Sequence, residues 1–138
     1  MQFENSQISK QLIYTVKELP FGKIYLFPKF FLSEINYGVH LDWNKIEKII
    51  ELVFSYYGVN CKIGYISNKV NSYSYEPNLW KKFHENYDFI IASVAICYSQ
   101  INYVNATIEK QFSKKSIKRT DNIEDSINWI TNLKEFKD

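Results

Sequence analysis

The spacing of apolar and polar residues changes twice along this chain. From Lys10 onward Leu12, Tyr14 and Val16 alternate with partly polar neighbours, the two-residue period of a half-buried strand. Pro20-Phe21-Gly22 reads as a turn, since proline presets its backbone angle and glycine tolerates conformations closed to other residues. Lys23 to Phe27 is then a second strand, broken by Pro28-Lys29, and Phe30 to Asn36 a third, closed by Tyr37-Gly38. Breaks this short join antiparallel neighbours. Residues 1–9 are polar and are expected to form a flexible tail.

Beyond Asp42 the period becomes three and four. Trp43, Ile46, Ile49, Ile50, Val53, Phe54 and Tyr57 make one stripe, with Lys45, Glu47, Lys48 and Glu51 on the other faces, the pattern of an amphipathic helix. Asp42 suits its N-cap and Gly58 its C-terminal stop. Cys61 to Ile66 predicts a strand and Pro77 to His84 a short helix. Phe89 to Cys97 is apolar on both alternate faces, which suits a central strand covered on both sides. Ser99 opens a helix running to about Lys114, with Ile101, Val104, Ile108 and Phe112 on one stripe. Ser116 to Thr120 follows as a short strand. Asp121 with Glu124 three residues later forms a capping box for a last helix carrying Ile123, Ile127, Ile130 and Leu133. Strands alternating with helices imply parallel pairing through right-handed crossovers. The expectation is one α/β domain over residues 1–138: a mixed sheet, antiparallel at its N-terminal strands and parallel thereafter, with four helices.

Composition narrows the function classes. With 46% hydrophobic and 17% aromatic residues, the chain carries enough apolar surface to offset the entropy of ordering. Net charge is +2 and arginine occurs once, at Arg119, which gives no footprint for nucleic acid. The cluster Lys110, Lys114, Lys115, Lys118 and Arg119 reads first as a solvated helix end favoured by the macrodipole, and second as a polyanion or anionic-lipid contact. The lysine, isoleucine and asparagine bias reads as codon usage in an AT-rich bacterial genome. MQFENSQISK has no apolar core of a signal peptide, and no apolar run approaches the roughly 18 residues of a membrane span. A cytoplasmic protein is expected.

Catalytic patterns are absent. No Walker A loop or GxGxxG occurs, no paired acids stand out, and no Ser or Cys has a legible base beside it. His84 reads as a surface residue. His40 with Asp42 offers two metal ligands without a third, so no metal site is assigned. Cys61 and Cys97, at the start of one parallel strand and the end of another, would lie roughly 20 Å apart at ~3.3 Å per residue. That separation forbids a disulfide. Both read as buried small hydrophobes, and Cys97, just before a helix start, also as a candidate reactive thiol.

The hairpin KIYLFPKFFLSEINYGV, the strand end YISN and the terminal DNIEDSINWI helix together resemble the SpoIIAA-like (STAS) domains, and more narrowly their small stand-alone bacterial members. The likeness runs from about Leu12 to Leu133. It implies a β/α domain without enzymatic activity or cofactor, acting as a regulatory partner of another protein. The same broad fold includes lipid-binding relatives of the CRAL-TRIO type, so a small-ligand or lipid-binding module is the alternative. The family's regulatory serine lies after a central strand, in an Asp-Ser-Ser-Gly pattern. The matching stretch here reads Ser67-Asn68-Lys69-Val70-Asn71-Ser72-Tyr73, without that aspartate and glycine. Ser72 and Ser67 are the nearest phosphorylation candidates.

In open α/β sheets ligands and partners meet the carboxyl ends of the strands. That rule selects Ser67, Asn68, Asn71, Ser72, Tyr73 and Tyr75 after one strand, and Tyr98 and Ser99 after the next, as candidate partner- or ligand-binding residues. Tyr73, Tyr75 and Trp80 combine large apolar bodies with polar handles. They form either an interface or a lid over the sheet edge.

Overall fold

The computed structural model describes residues 1–99 and 116–133. Three strands come first: β1 (Thr15–Leu19), β2 (Gly22–Leu26) and β3 (Phe30–Ile35). A two-residue β4 (His40–Leu41) leads into α1 (Trp43–Tyr57), followed by β5 (Ile63–Asn68), a two-residue β6 (Ser74–Tyr75) and α2 (Leu79–Asn86). The chain continues through β7 (Ile90–Ile96), β8 (Ser116–Thr120) and α3 (Ile123–Thr131). The main sheet has the order β1-β2-β3-β5-β7-β8, and β4 and β6 make a small parallel pair beside it. β1, β2 and β3 pair antiparallel, whereas β3-β5, β5-β7 and β7-β8 are parallel. The mixed sheet expected from the pattern is what forms, with the change of direction at β3. Three helices lie among the described residues; the helix expected from Ser99 to about Lys114 falls outside them.

Alternation along the strands sorts the core into two faces. Ile24, Phe31, Ile35 and Ile63 pack with Ile46, Ile49, Ile50 and Val53 of α1 and with Leu79 and Phe83 of α2. On the other face Tyr25, Phe30, Leu32, Ile66, Val94 and Ile96 pack with Ile123, Ile127 and Ile130 of α3. β7 therefore has parallel neighbours on both edges and Ala92, Val94, Ala95 and Ile96 buried along it, as its unbroken apolar run requires.

Local signals hold with small shifts. Asp42 caps α1 by accepting the Lys45 N–H at 3.0 Å, which holds its carboxyl below the ordinary range. Gly58 ends the helix at φ +96°, where a side chain would be strained. The last helix is capped one residue later than expected. Asn122, not Asp121, accepts the Asp125 N–H at 2.7 Å, and its amide returns a bond to the Asp125 carboxylate. The helix phase decides this, because Ile123, Ile127 and Ile130 must face the sheet. Strand β5 starts two residues beyond Cys61, which is half-buried rather than part of the core. Cys61 and Cys97 lie at opposite ends of β5 and β7 and are not joined in a disulfide.

The flexible tail is the main correction. Phe3 is 0% exposed, and Ser6 and Ser9 are buried. The phenyl ring sits 5.0 Å from the rings of Tyr14 and Tyr25 and 5.4 Å from that of Phe27. Two short 3-10 turns, Phe3–Asn5 and Ile8–Lys10, fold the segment over the α3 face of the hairpin strands. One buried aromatic outweighs six polar neighbours, since a fully buried Phe contributes about 1.5–3 kcal/mol.

Candidate functional site

Parallel pairing brings the carboxyl ends of β3, β5, β7 and β8 to one edge. Ser33 is level with Ser67, Asn68 with Ile96, and Ile96 with Thr120. Alternation then divides the polar residues at this edge between the two faces.

On the α3 face Glu34 and Asn68 are both buried, Asn68 at 1% exposure. Asn68 Nδ2 donates to Glu34 Oε2 at 2.7 Å and to the Met1 carbonyl at 3.0 Å, and Asn68 Oδ1 accepts from Tyr98 Oη at 2.7 Å. Glu34 Oε2 also accepts the Phe3 N–H at 2.6 Å. Tyr25 Oη donates to Glu4 Oε2 at 2.9 Å and stands 3.5 Å from Glu34 Oε1. Burial, then the Glu34 charge, pushes the Tyr98 phenol up to about 12. The same two causes push Tyr25 further up.

The α1–α2 face carries hydroxyls and one lysine. Ser33 Oγ and Tyr65 Oη lie 2.6 Å apart, and Ser67 Oγ and Tyr73 Oη 3.3 Å apart. Lys69 is only 4% exposed. Its Nζ donates to Tyr73 Oη at 3.0 Å and lies 5.0 Å from the centre of that ring. Burial drives the Tyr65 phenol upward, so it holds its proton.

The connection between β5 and α2 is pinned to the end of β3. Asn71 Nδ2 donates to the Ile35 carbonyl at 3.1 Å, and Gly38 N donates to the Ser72 carbonyl at 2.9 Å. His40 pairs with Ser74 through β4 and β6, their side chains bonding at 2.8 Å. Tyr73, Tyr75 and Trp80 pack half-buried on the α1–α2 core, with Tyr75 and Trp80 edge to face at 6.1 Å. They form a lid over that face. The buried Trp80 Nε1 has no hydrogen-bond partner.

Of the eight expected site residues, Asn68 and Tyr98 meet directly, and Ser67 meets Tyr73. Ser67 and Asn68 are buried, with their side chains bonded to Tyr73, Glu34 and Tyr98. Asn71 is half-buried, and Ser72, Tyr98 and Ser99 are exposed. Tyr75 lies on the lid, away from the Asn68–Tyr98 pair. Of the two phosphorylation candidates, Ser72 is on the surface, whereas Ser67 is 5% exposed with its hydroxyl held by Tyr73. Glu34, Lys69 and Phe3 are the members that sequence reasoning missed. His84 is half-buried against Phe83, not on the surface, and burial lowers its pKa.

Two open grooves adjoin this edge. One, of about 610 Å³, has Tyr98, Ser99, Lys118, Arg119 and Asp121 on its walls. The other, of about 580 Å³, runs between residues 1–8 and the start of α3. An apolar cavity between α1, α2 and the sheet measures only about 30 Å³. Among the described residues no three His, Cys, Asp or Glu side chains group as metal ligands, and no helix is long and apolar enough to cross a membrane.

No family model matches the chain, and no curated protein matches it in sequence. Among solved structures it is similar to an uncharacterized protein of the DUF3478 family from Shewanella loihica PV-4, described as having a SpoIIAA-like fold. The TM-score is 0.53 at 10% identity, over 86% of this chain and 93% of that one. Identity this low speaks for the fold alone. Together with a sheet that turns from antiparallel to parallel at β3, it makes the fold of this chain SpoIIAA-like.

Proposed function

We propose that this chain is a non-catalytic, regulatory interaction domain whose protein partner is met by the Lys69–Tyr75 loop and the carboxyl ends of β5 and β7. The observation that carries this reading is how the polar side chains at the edge are used. Glu34, Asn68, Ser67, Lys69 and Asn71 spend hydrogen bonds on one another, on tyrosine hydroxyls or on main-chain groups. They fix the shape of the loop, on which Ser72 is exposed. A surface held in one shape before binding spares the cost of ordering it. A catalytic site needs instead a base and a nucleophile facing a space for substrate.

A small-ligand or lipid-binding module is less well supported. Such sites enclose roughly 300–1,000 Å³ with mostly apolar walls. The apolar cavity between α1, α2 and the sheet is about 30 Å³, room for a water or two. The two grooves of sufficient size at the strand ends are both open, one with Lys118, Arg119, Asp121 and Asp125 on its walls and the other with Asn5, Gln7, Asn122 and Glu124 beside Ile8 and Ile123. The test is affinity capture from the native cytosol with the full chain as bait, beside native mass spectrometry. Ser72→Asp should keep the melting temperature and lose the captured protein, as a new charge on the contact face does. Capture unaffected by Ser72→Asp, or a bound organic molecule in its place, would overturn the reading.

A further inference from the structure

The strand-end cluster already holds a peptide. Glu34 Oε2 accepts the Phe3 N–H, and Asn68 Nδ2 and Tyr98 Oη stand 3.0 and 3.2 Å from the Met1 carbonyl oxygen. All three contacts are to main-chain groups, so none depends on the Met1 or Gln2 side chain, and both of those residues are exposed. The one deeply inserted side chain is Phe3, caged by Tyr14, Tyr25 and Phe27. A backbone-reading polar row beside one aromatic pocket is how extended segments are commonly recognised: main-chain bonds give affinity and a pocket gives specificity.

The bound segment is also shaped by itself. Ser6 Oγ donates to the Phe3 carbonyl and Ser9 Oγ to the Ser6 carbonyl. Its flank is not sealed, because the groove of about 580 Å³ separates residues 1–8 from Asn122, Ile123 and Glu124 at the start of α3. Outside the cage Ile8 packs half-buried against the α3-face core, and Glu4 bonds to Tyr25 and to a half-exposed Lys23, an ion pair of the kind that adds little.

We infer that the Glu34–Asn68–Tyr98 row and the Phe3 cage form a peptide-recognition site, occupied in this structure by the chain's own residues 1–5. A partner segment with an aromatic side chain in the place of Phe3 competes for it. The inference rests on the interaction reading above and names the chemistry of the partner. Displacing the resident segment is then the step that couples partner binding to this face, and a resident segment disfavours weak competitors through its high effective concentration.

The experiment uses the full chain and a fluorescein-labelled peptide of residues 1–10. The Phe3→Ala protein should bind the peptide at least about tenfold more tightly than the wild-type protein, whose own segment competes. The same peptide carrying Phe3→Ala should not bind. Equal affinity for both proteins, or binding that ignores the peptide's phenylalanine, overturns the inference. Hydrogen exchange on the wild-type protein decides the matter should Phe3→Ala fail to fold. The Phe3 amide should exchange at least about 100-fold faster than the protected amides of β5 and β7, because the segment opens locally. Equal protection would mean that it leaves only when the whole domain unfolds, and the inference falls. Absence of peptide binding with capture still lost in Ser72→Asp removes this inference alone. Peptide binding with capture indifferent to Ser72 removes the loop reading and keeps this one.

Discussion

Asn68→Asp tests the buried polar row with almost no change of shape. It replaces the amide that donates to Glu34 Oε2 at 2.7 Å and to the Met1 carbonyl at 3.0 Å with an oxygen that donates to neither. The bond to a carboxylate is worth about 1.5–3 kcal/mol and the bond to a carbonyl about 0.5–1.5 kcal/mol. Tyr98 Oη keeps its acceptor, so that bond adds nothing to the loss. The sum is about 3 kcal/mol before repulsion between two carboxyl groups is counted. For a domain of this length that is a drop of roughly 10 °C, at about 3 °C per kcal/mol. The pH dependence is more telling than the size. Two carboxyls this close share a proton, so the variant's pair has a raised pKa and its stability is present at low pH and lost as pH rises. Thermal unfolding followed by circular dichroism should show a large deficit at pH 7.5 that narrows at pH 4.5. A deficit under about 3 °C, or one independent of pH, would mean that Glu34 and Asn68 are not coupled. Asn71→Asp, whose amide reaches only the Ile35 carbonyl, is the control and should cost about 1 kcal/mol.

Ala95→Asp places a charge at a 3% exposed position of the central strand, and should cost several kcal/mol; a melting curve matching the parent would contradict the burial of β7. Ellman's reagent on the native protein should modify half-buried Cys61 ahead of buried Cys97, although both more slowly than in denaturant. Burial lowers the pKa of His84 from its ordinary 6.5, so the unfolded chain takes up its proton first. The stability contributed is therefore complete above about pH 6.5 and lost as pH falls. His84→Gln should flatten the decline in melting temperature between pH 7 and 5, whereas an unchanged slope would assign it to other groups.

Most of the fold is readable because period and punctuation agree. Asp42 and Gly58 bracket a seven-residue apolar stripe, and both ends of α1 fall where those two residues dictate. Phe89 to Cys97 has no polar face, and the only place in a sheet for such a strand is between two others. What a pattern sets less firmly is phase. Asp121 and Asn122 are both good caps, one residue apart, and the choice falls to the helix face that must meet Gly64 of β5, where an added Cβ would run into Ile130. Phe3 was hidden for a different reason. A single aromatic in a polar run has no period, and its burial depends on Tyr14, Tyr25 and Phe27, which only the folded hairpin assembles.

The site is legible in place and not in membership, and the topology explains both. β3 is antiparallel to β2 and parallel to β5, so its carboxyl end is the one point where the hairpin and the parallel strands share an edge. Ser67, Asn68 and Tyr98 follow from the general rule about strand ends. Glu34 does not, because within Phe30–Ile35 it reads as the polar half of an alternation that should face water. Its acceptors are met by a main-chain N–H and an amide from 31 and 34 residues away, partners that no spacing in the sequence connects to it. Lys69 is similar: in a loop of asparagines and serines it reads as solvated, whereas Tyr73 four residues later draws it beneath the lid. A buried carboxylate and a buried lysine persist only when the surrounding chain supplies bonds to both. The edge is therefore held on one face by residues 1–3 and on the other by the Lys69–Tyr75 loop. Anything that binds there must either fit what these two segments present or move one of them. Of the two, residues 1–3 are tied to the edge by three main-chain contacts and one side chain, which makes them the segment a competing peptide displaces.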